Sequence, residues 1–153
     1  MSIALTTANL AEYIGQEIGV TDWIAIEQAR IGTFAECTED RQWIHIDVER
    51  AKRESPFGAP VAHGMLTLSL LPYWTFQLPA VPADAGAVLN YGFDKVRFVA
   101  PVKSGSRVRS RIKLLTATPK DKGRVLIALE HTVEIENEPK PALMAELLLM
   151  LLP

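Results

Sequence analysis

Cysteine is almost absent: Cys37 is the only one in 153 residues. No intrachain disulfide can form, and a single thiol offers none of the spacing of a structural zinc site. A surplus of one charge is also missing, since 16 basic residues stand against 18 acidic ones for a net charge of −2. Neutralising a nucleic-acid backbone takes cations in excess, so that class of partner is not expected. Long apolar runs are lacking too. The most apolar stretch, Ala142 to Leu152, is interrupted by Glu146 and is too short to cross a bilayer. The N-terminal segment MSIALTTANLAEYIGQEIG lacks the basic head of a secretory leader. A cytoplasmic protein with no membrane partner is expected.

What is present suits an ordinary globular domain. With 48% hydrophobic and 22% charged residues, disorder is not the main story. A chain of this length buries roughly 69% of the surface that its unfolded form exposes, enough for one core without staples. A single domain over residues 1–153 is the expectation, with no internal repeat.

Asn9 followed by Leu10, Tyr13, Ile14 and Ile18 reads as a short amphipathic helix over 9–18. Trp23 to Ile26 reads as a short strand, and Ile31, Phe34 and Ala35 mark a helix from Gln28 to about Cys37. Asp47 reads as an N-cap ahead of VERAKR. From His63 to Phe76 the sequence HGMLTLSLLPYWTF is apolar almost all round, as in a long helix buried on every side, with Pro72 set to kink it or end its regular part.

The period then changes to two. Val108, Ile112 and Leu114 alternate with cationic residues between Arg107 and Thr118, and Val125, Ile127, Leu129, Val133 and Ile135 share one face of a second strand. Lys122-Gly123 supplies the turn between these strands, and Val96–Val102 and Ala142–Leu152 read as two more. Helices first and strands later indicate α+β. An antiparallel β-sheet wrapped around a long buried central helix, a hot-dog arrangement, would bury the apolar segment.

The polar residues that look out of place lie between positions 38 and 69. The stretch FAECTEDRQWIHIDVERA from Phe34 to Ala51, followed by GAPVAHGMLTLSL from Gly58 to Leu70, resembles the MaoC-like dehydratase and (R)-specific enoyl-CoA hydratase family. That family's signature is an aromatic residue, a catalytic Asp, a His five residues on and a small residue six beyond it, matched here by Phe34, Asp40, His45 and Ala51. Where the family commonly has Gly before the Asp and Asn-Pro after it, this chain has Glu39 and Gln42-Trp43. With Asn90-Tyr91-Gly92 and Arg97-Phe98 downstream, that form resembles a NodN-type branch. The resemblance covers roughly residues 15 to 115.

The resemblance implies hydration of a trans-2-enoyl-CoA to the (R)-3-hydroxyacyl-CoA, or the reverse, with no cofactor. The chemistry wants two proton-transfer groups around one water and N–H donors for the enolate oxygen. His45 is the implied base and Asp40 the implied acid, and as a coupled pair the two can exchange roles. Read alone, Asp40 is a turn residue and His45 a structural histidine. Their spacing requires a turn between them.

His63 and Gly64 open the apolar helix. They serve close packing, or the Gly64 N–H receives the thioester oxygen, and both readings stay open. If the second holds, Gly64→Pro should delete one N–H almost surgically. Ser69 faces the site in the resembled family, although a serine inside a helix also bonds back to a carbonyl. Met65, Tyr73 and Trp74 offer apolar surface for the acyl chain, beside His63 and Asn90 as further substrate contacts. His131 has only a structural reading. No metal is expected, because His45-x-Asp47 lacks further ligands at suitable spacing. A thioesterase on the same fold and a catalytically silent acyl-binding or heterodimer partner are the rival functions. Homodimerisation is expected, because an apolar sheet edge needs pairing.

Overall fold

The computed structural model describes residues 4–153; Met1, Ser2 and Ile3 of the N-terminal segment lie outside it. Strands β1 (Glu17–Val20) and β2 (Ile24–Ala25) precede helices α1 (Gln28–Thr38), α2 (Trp43–Ile46), α3 (Val48–Glu54), α4 (Gly64–Ser69) and α5 (Leu71–Gln77). Long strands β3 (Ala87–Phe98), β4 (Arg107–Pro119), β5 (Val125–Ile135) and β6 (Leu143–Leu152) follow. All strand pairs are antiparallel. The order is β1-β4-β5-β6-β3, with β2 also on β4. The apolar C-terminal strand is thus interior, as its composition suggested.

The two-residue period of the later strands decides which side chains face the helices. Ile112 and Leu114 of β4, Ile127, Leu129 and Val133 of β5, and Leu143 and Leu147 of β6 are fully buried, against Leu66, Leu71 and Trp74 from the helical layer. The arrangement is the α+β hot-dog: one antiparallel sheet curled over a helical segment. The β4–β5 turn falls where expected, with Lys122 and Gly123 at φ 57° and 71°, a conformation that glycine adopts without strain.

Several local expectations are corrected. The helix expected over 9–18 is a 3-10 turn at Leu10–Tyr13 followed by β1. Gly15, at φ 84°, breaks the helical path, and Ile18 is buried from a strand. The strand expected at Val96–Val102 instead runs Ala87–Phe98. The central helix is divided at Leu70, just ahead of Pro72, whose ring cannot continue the hydrogen-bond ladder. That segment is not buried on every side either: Met65 and Phe76 are each 60% exposed and Tyr73 47%. Among the described residues, no helix is long and apolar enough to cross a membrane.

Candidate active site

Three elements of different kinds converge on Asp40, His45 and His63. Helix α1 stops because Glu39 takes a left-handed conformation, φ 66°, which turns the chain and places Asp40 on the surface. Gln42 then leads into α2, which carries His45, and the Asp47 side chain accepts from the Arg50 N–H at 3.1 Å to start α3. The loop after α3 returns as an extended segment: the Val61 N–H donates to the Ile44 carbonyl at 3.1 Å and the Ala62 N–H to that of Val102 at 2.8 Å. His63 follows as the N-cap of α4. The turn required between Asp40 and His45 is present.

His45 and His63 are both buried, 7% and 2% exposed, and their rings stack with centroids 3.8 Å apart and 23° between planes. Phe34 packs on His63 at 4.9 Å. The polar atoms of Asp40, His45 and His63 come within 4.8 Å of one another. His45 Nδ1 lies 2.6 Å from the Val61 carbonyl oxygen. A carbonyl only accepts, so Nδ1 carries the hydrogen and Nε2 of the neutral ring is left as a basic lone pair. Gln28 Nε2 donates to the His45 carbonyl at 2.8 Å and holds the residue from α1. Burial pushes the His45 pKa below its ordinary value, aided by His63 and opposed by the Val61 hydrogen bond and Asp40.

His63 is a third potential metal ligand that the spacing argument did not supply. The donor geometry does not suit a metal. His45 Nδ1 and His63 Nε2 are taken up by carbonyls, and the remaining nitrogens belong to near-parallel rings stacked at 3.8 Å. A metal bound to both would have to lie near both ring planes, at about 2.0–2.1 Å from each nitrogen.

Two grooves flank α4. A cleft of about 500 Å³ is lined by Gly64, Met65, Thr67, Phe98 and Val99 among others; its lining includes Ala62 and Gly64, the chain neighbours of His63, but not Asp40, His45 or His63 themselves. The Thr67 hydroxyl is buried without a hydrogen-bond partner. A second groove, about 480 Å³, contains Phe34, Cys37, Leu66 and Ser69. The Ser69 hydroxyl donates to the Leu66 carbonyl at 2.6 Å, so it is engaged within its own helix.

Trp74 is 0% exposed in the core, its Nε1 unpartnered, so it does not offer surface to a ligand as expected. Tyr73 lies on the open side of α5, and Asn90 is exposed on β3 opposite Leu149. Neither joins the cluster. A Cβ built on Gly64 would sit 2.8 Å from the Phe98 ring. Gly64→Pro is therefore not the surgical change expected, because the added ring meets Phe98 before any ligand enters. The carbonyls of Val61 and Asp40, which orient the two histidines, were missed; a main-chain acceptor leaves no mark on residue type.

Residues 9–136 match the family model described as "MaoC like domain". The chain is 45% identical over 141 residues to nodulation protein N of Rhizobium meliloti (strain 1021), across 92% of this chain and 88% of that protein. It is 44% identical over 141 residues to 3-hydroxyacyl-thioester dehydratase Z of Mycobacterium tuberculosis (strain ATCC 25618 / H37Rv), across 92% of each. The solved (R)-hydratase from A. caviae involved in PHA biosynthesis superposes with TM-score 0.72 at 21% identity, over 92% of this chain and 96% of that one, a likeness of fold. By the match that spans most of its length, the chain belongs to the MaoC-like domain family.

Proposed function

We propose that this protein is an (R)-specific enoyl-CoA hydratase/dehydratase, interconverting trans-2-enoyl-CoA and (R)-3-hydroxyacyl-CoA. The observation that carries the reading is the convergence of Asp40 and His45, with His45 Nδ1 fixed on the Val61 carbonyl at 2.6 Å so that Nε2 is left to act. Two dehydratase relatives support it, the M. tuberculosis enzyme above and a 3-hydroxybutyryl-CoA dehydratase of Methylorubrum extorquens, 33% identical over 105 residues.

In hydration, His45 Nε2 accepts a proton from water as the water oxygen bonds to C3. The electron pair of the C2=C3 bond moves toward the thioester oxygen, forming an enolate; Asp40 in its protonated form gives its proton to C2, and the proton held on His45 passes back to Asp40 to reset the pair. Water is thereby added across the double bond. The Gly64 N–H, at the first position of α4 with no intrahelical acceptor, is the donor assigned to the enolate oxygen, and the cleft it opens onto takes the acyl chain.

Among the described residues, β3 is paired only with β6, so its other edge is free, and Leu89, Tyr91 and Phe93 are exposed along it. A free edge of 12 residues with apolar side chains favours pairing with a second copy, so the proposed active species is a homodimer.

The test follows enoyl-thioester absorbance over a ladder of acyl-CoAs, with chiral analysis of the product. Loss of absorbance with an (R)-3-hydroxyacyl product supports the reading. Release of free CoA thiol identifies a thioesterase, and binding without turnover a silent acyl-binding module; either result overturns it.

A further inference from the structure

The reaction as assigned uses Asp40 and His45, yet both are tied to a third side chain. His63 Nε2 lies 2.9 Å from the Asp40 carbonyl oxygen. That oxygen can only accept, so Nε2 bears the hydrogen, and Nδ1 of the neutral ring is bare, buried and without a partner. The same ring stacks on His45 at 3.8 Å on one side and meets Phe34 at 4.9 Å on another.

Asp40 needs such an anchor. It lies between the left-handed Glu39 that ends α1 and the Gln42 that begins α2, outside any helix or strand. Its own carboxylate has only a long contact from the Gln42 N–H, at 3.5 Å. Arg41, its neighbour, is engaged outward with Glu36 and Glu39. A buried polar atom left unpaired is costly. Retaining the His63 ring with a bare Nδ1 therefore points to what the rest of that ring does.

We propose that His63 is the positioning residue of the catalytic pair: it donates its Nε2 hydrogen to the Asp40 main chain and stacks on His45, fixing acid and base relative to each other through one side chain. It also ends the segment that places the Gly64 N–H, so acid, base and oxygen donor are set from a single point. This inference rests on the hydratase reading for its kinetic consequence, though its geometry is independent of the reaction.

Two variants separate the two contacts. His63→Phe keeps a ring to stack on His45 but has no N–H for the Asp40 carbonyl, whereas His63→Gln places an amide N–H near that carbonyl without the stack. With rates normalised to active sites, His63→Phe is expected to lower kcat by about 10², the scale of a misplacement near 1 Å. KM should change far less. His63→Gln is expected to recover to within about tenfold of the wild type. Because His63 opposes charge on His45, the His45-controlled limb of the pH profile should move to higher pH in His63→Phe. A merely structural His63 would lower Tm alone. Unchanged kcat and limb position in folded His63→Phe, or no recovery in His63→Gln, overturns the proposal.

Imidazole 15N NMR supplies a readout without turnover. On the wild-type protein the proposal requires hydrogen on Nε2 of His63 and on Nδ1 of His45, and His45 should titrate at higher pH in His63→Phe. Hydrogen on Nδ1 of His63, or an unmoved His45 titration, overturns the positioning role whatever the enzyme assay gives. Absence of turnover in the wild type with these NMR results intact would remove the hydratase reading alone.

Discussion

The imidazole of His45 lies face to face on that of His63, 3.8 Å between centroids and 23° between planes, so a proton taken up by one ring is felt directly by the other. Burial first, and His63 second among the lowering influences, push the His45 pKa below its ordinary value of about 6.5. At neutral pH the ring is therefore mainly uncharged, the form a base requires. We expect kcat/KM for hydration to hold through neutral pH and to fall on an acid limb below about 6.5. A rate that instead falls as pH rises through that value would make protonated His45 the acid. Asp40→Asn and His45→Gln should each lower kcat by about 10² or more, with circular dichroism unchanged.

Much of this site could be read from residue order, because the pair, the aromatic Phe34 and the His63-Gly64 start of α4 lie in two short stretches. The fold was legible where the period was clean, as in β5, whose ends fall at Val125 and Ile135 as expected. It failed at β3, where the register on β6 slips between Asn90 and Gly92 and again between Asp94 and Arg97, so that no single alternation runs through the strand, and where Leu89, Tyr91 and Phe93 are exposed with Asn90 and Gly92 between them. A strand with a broken period and exposed apolar side chains looks miscast within one chain. The carbonyls that orient both rings come from residues 16 and 23 positions away from the histidines they meet. Their contact depends on the loop geometry of Asp40 and Val61, which no pattern encodes.

The acyl-chain assignment moves from Trp74 to the mouth of the Gly64 cleft. Trp74→Ala empties a fully buried site and should cost about 3–5 kcal/mol of stability, while affecting all chain lengths alike. Phe98 lies against Gly64 and lines the cleft, so Phe98→Ala should favour longer acyl-CoAs over short ones, read as the ratio of kcat/KM values. An unchanged ratio would place the chain elsewhere, with the Ser69 groove the next candidate.

The exposed face of β3 yields a separate expectation. Tyr91 is 62% exposed and Leu89 51%, and lysines there discourage the pairing of strands. Sedimentation of the wild type should report a dimer, and the double variant Leu89→Lys/Tyr91→Lys a monomer. An active wild type that stays monomeric at every concentration would contradict the proposed assembly.

His131 is the buried charge risk of this fold. It is 0% exposed on β5, where its Nδ1 is 2.9 Å from the Ser110 hydroxyl and its Nε2 3.1 Å from that of Thr75. The Thr75 hydroxyl donates to the Leu71 carbonyl at 2.9 Å, so its oxygen is free to accept the Nε2 hydrogen, and Ser110 donates to a bare Nδ1. The neutral ring is thus satisfied on both sides, tying β4 and β5 to α5. Burial lowers its pKa to about 3. The unfolded chain takes up that proton near 6.5 while the native one does not, so the stability it contributes is present above 6.5 and is lost as pH falls toward 3. The slope this adds approaches about 1.4 kcal/mol per pH unit within that window. His131→Phe leaves Ser110 short of a partner and should start from a lower stability, but its denaturation midpoint should fall less steeply with acid than that of the wild type. Parallel curves for the two proteins between pH values of about 6.5 and 4 would show that His131 takes up its proton in the native state, contrary to its burial.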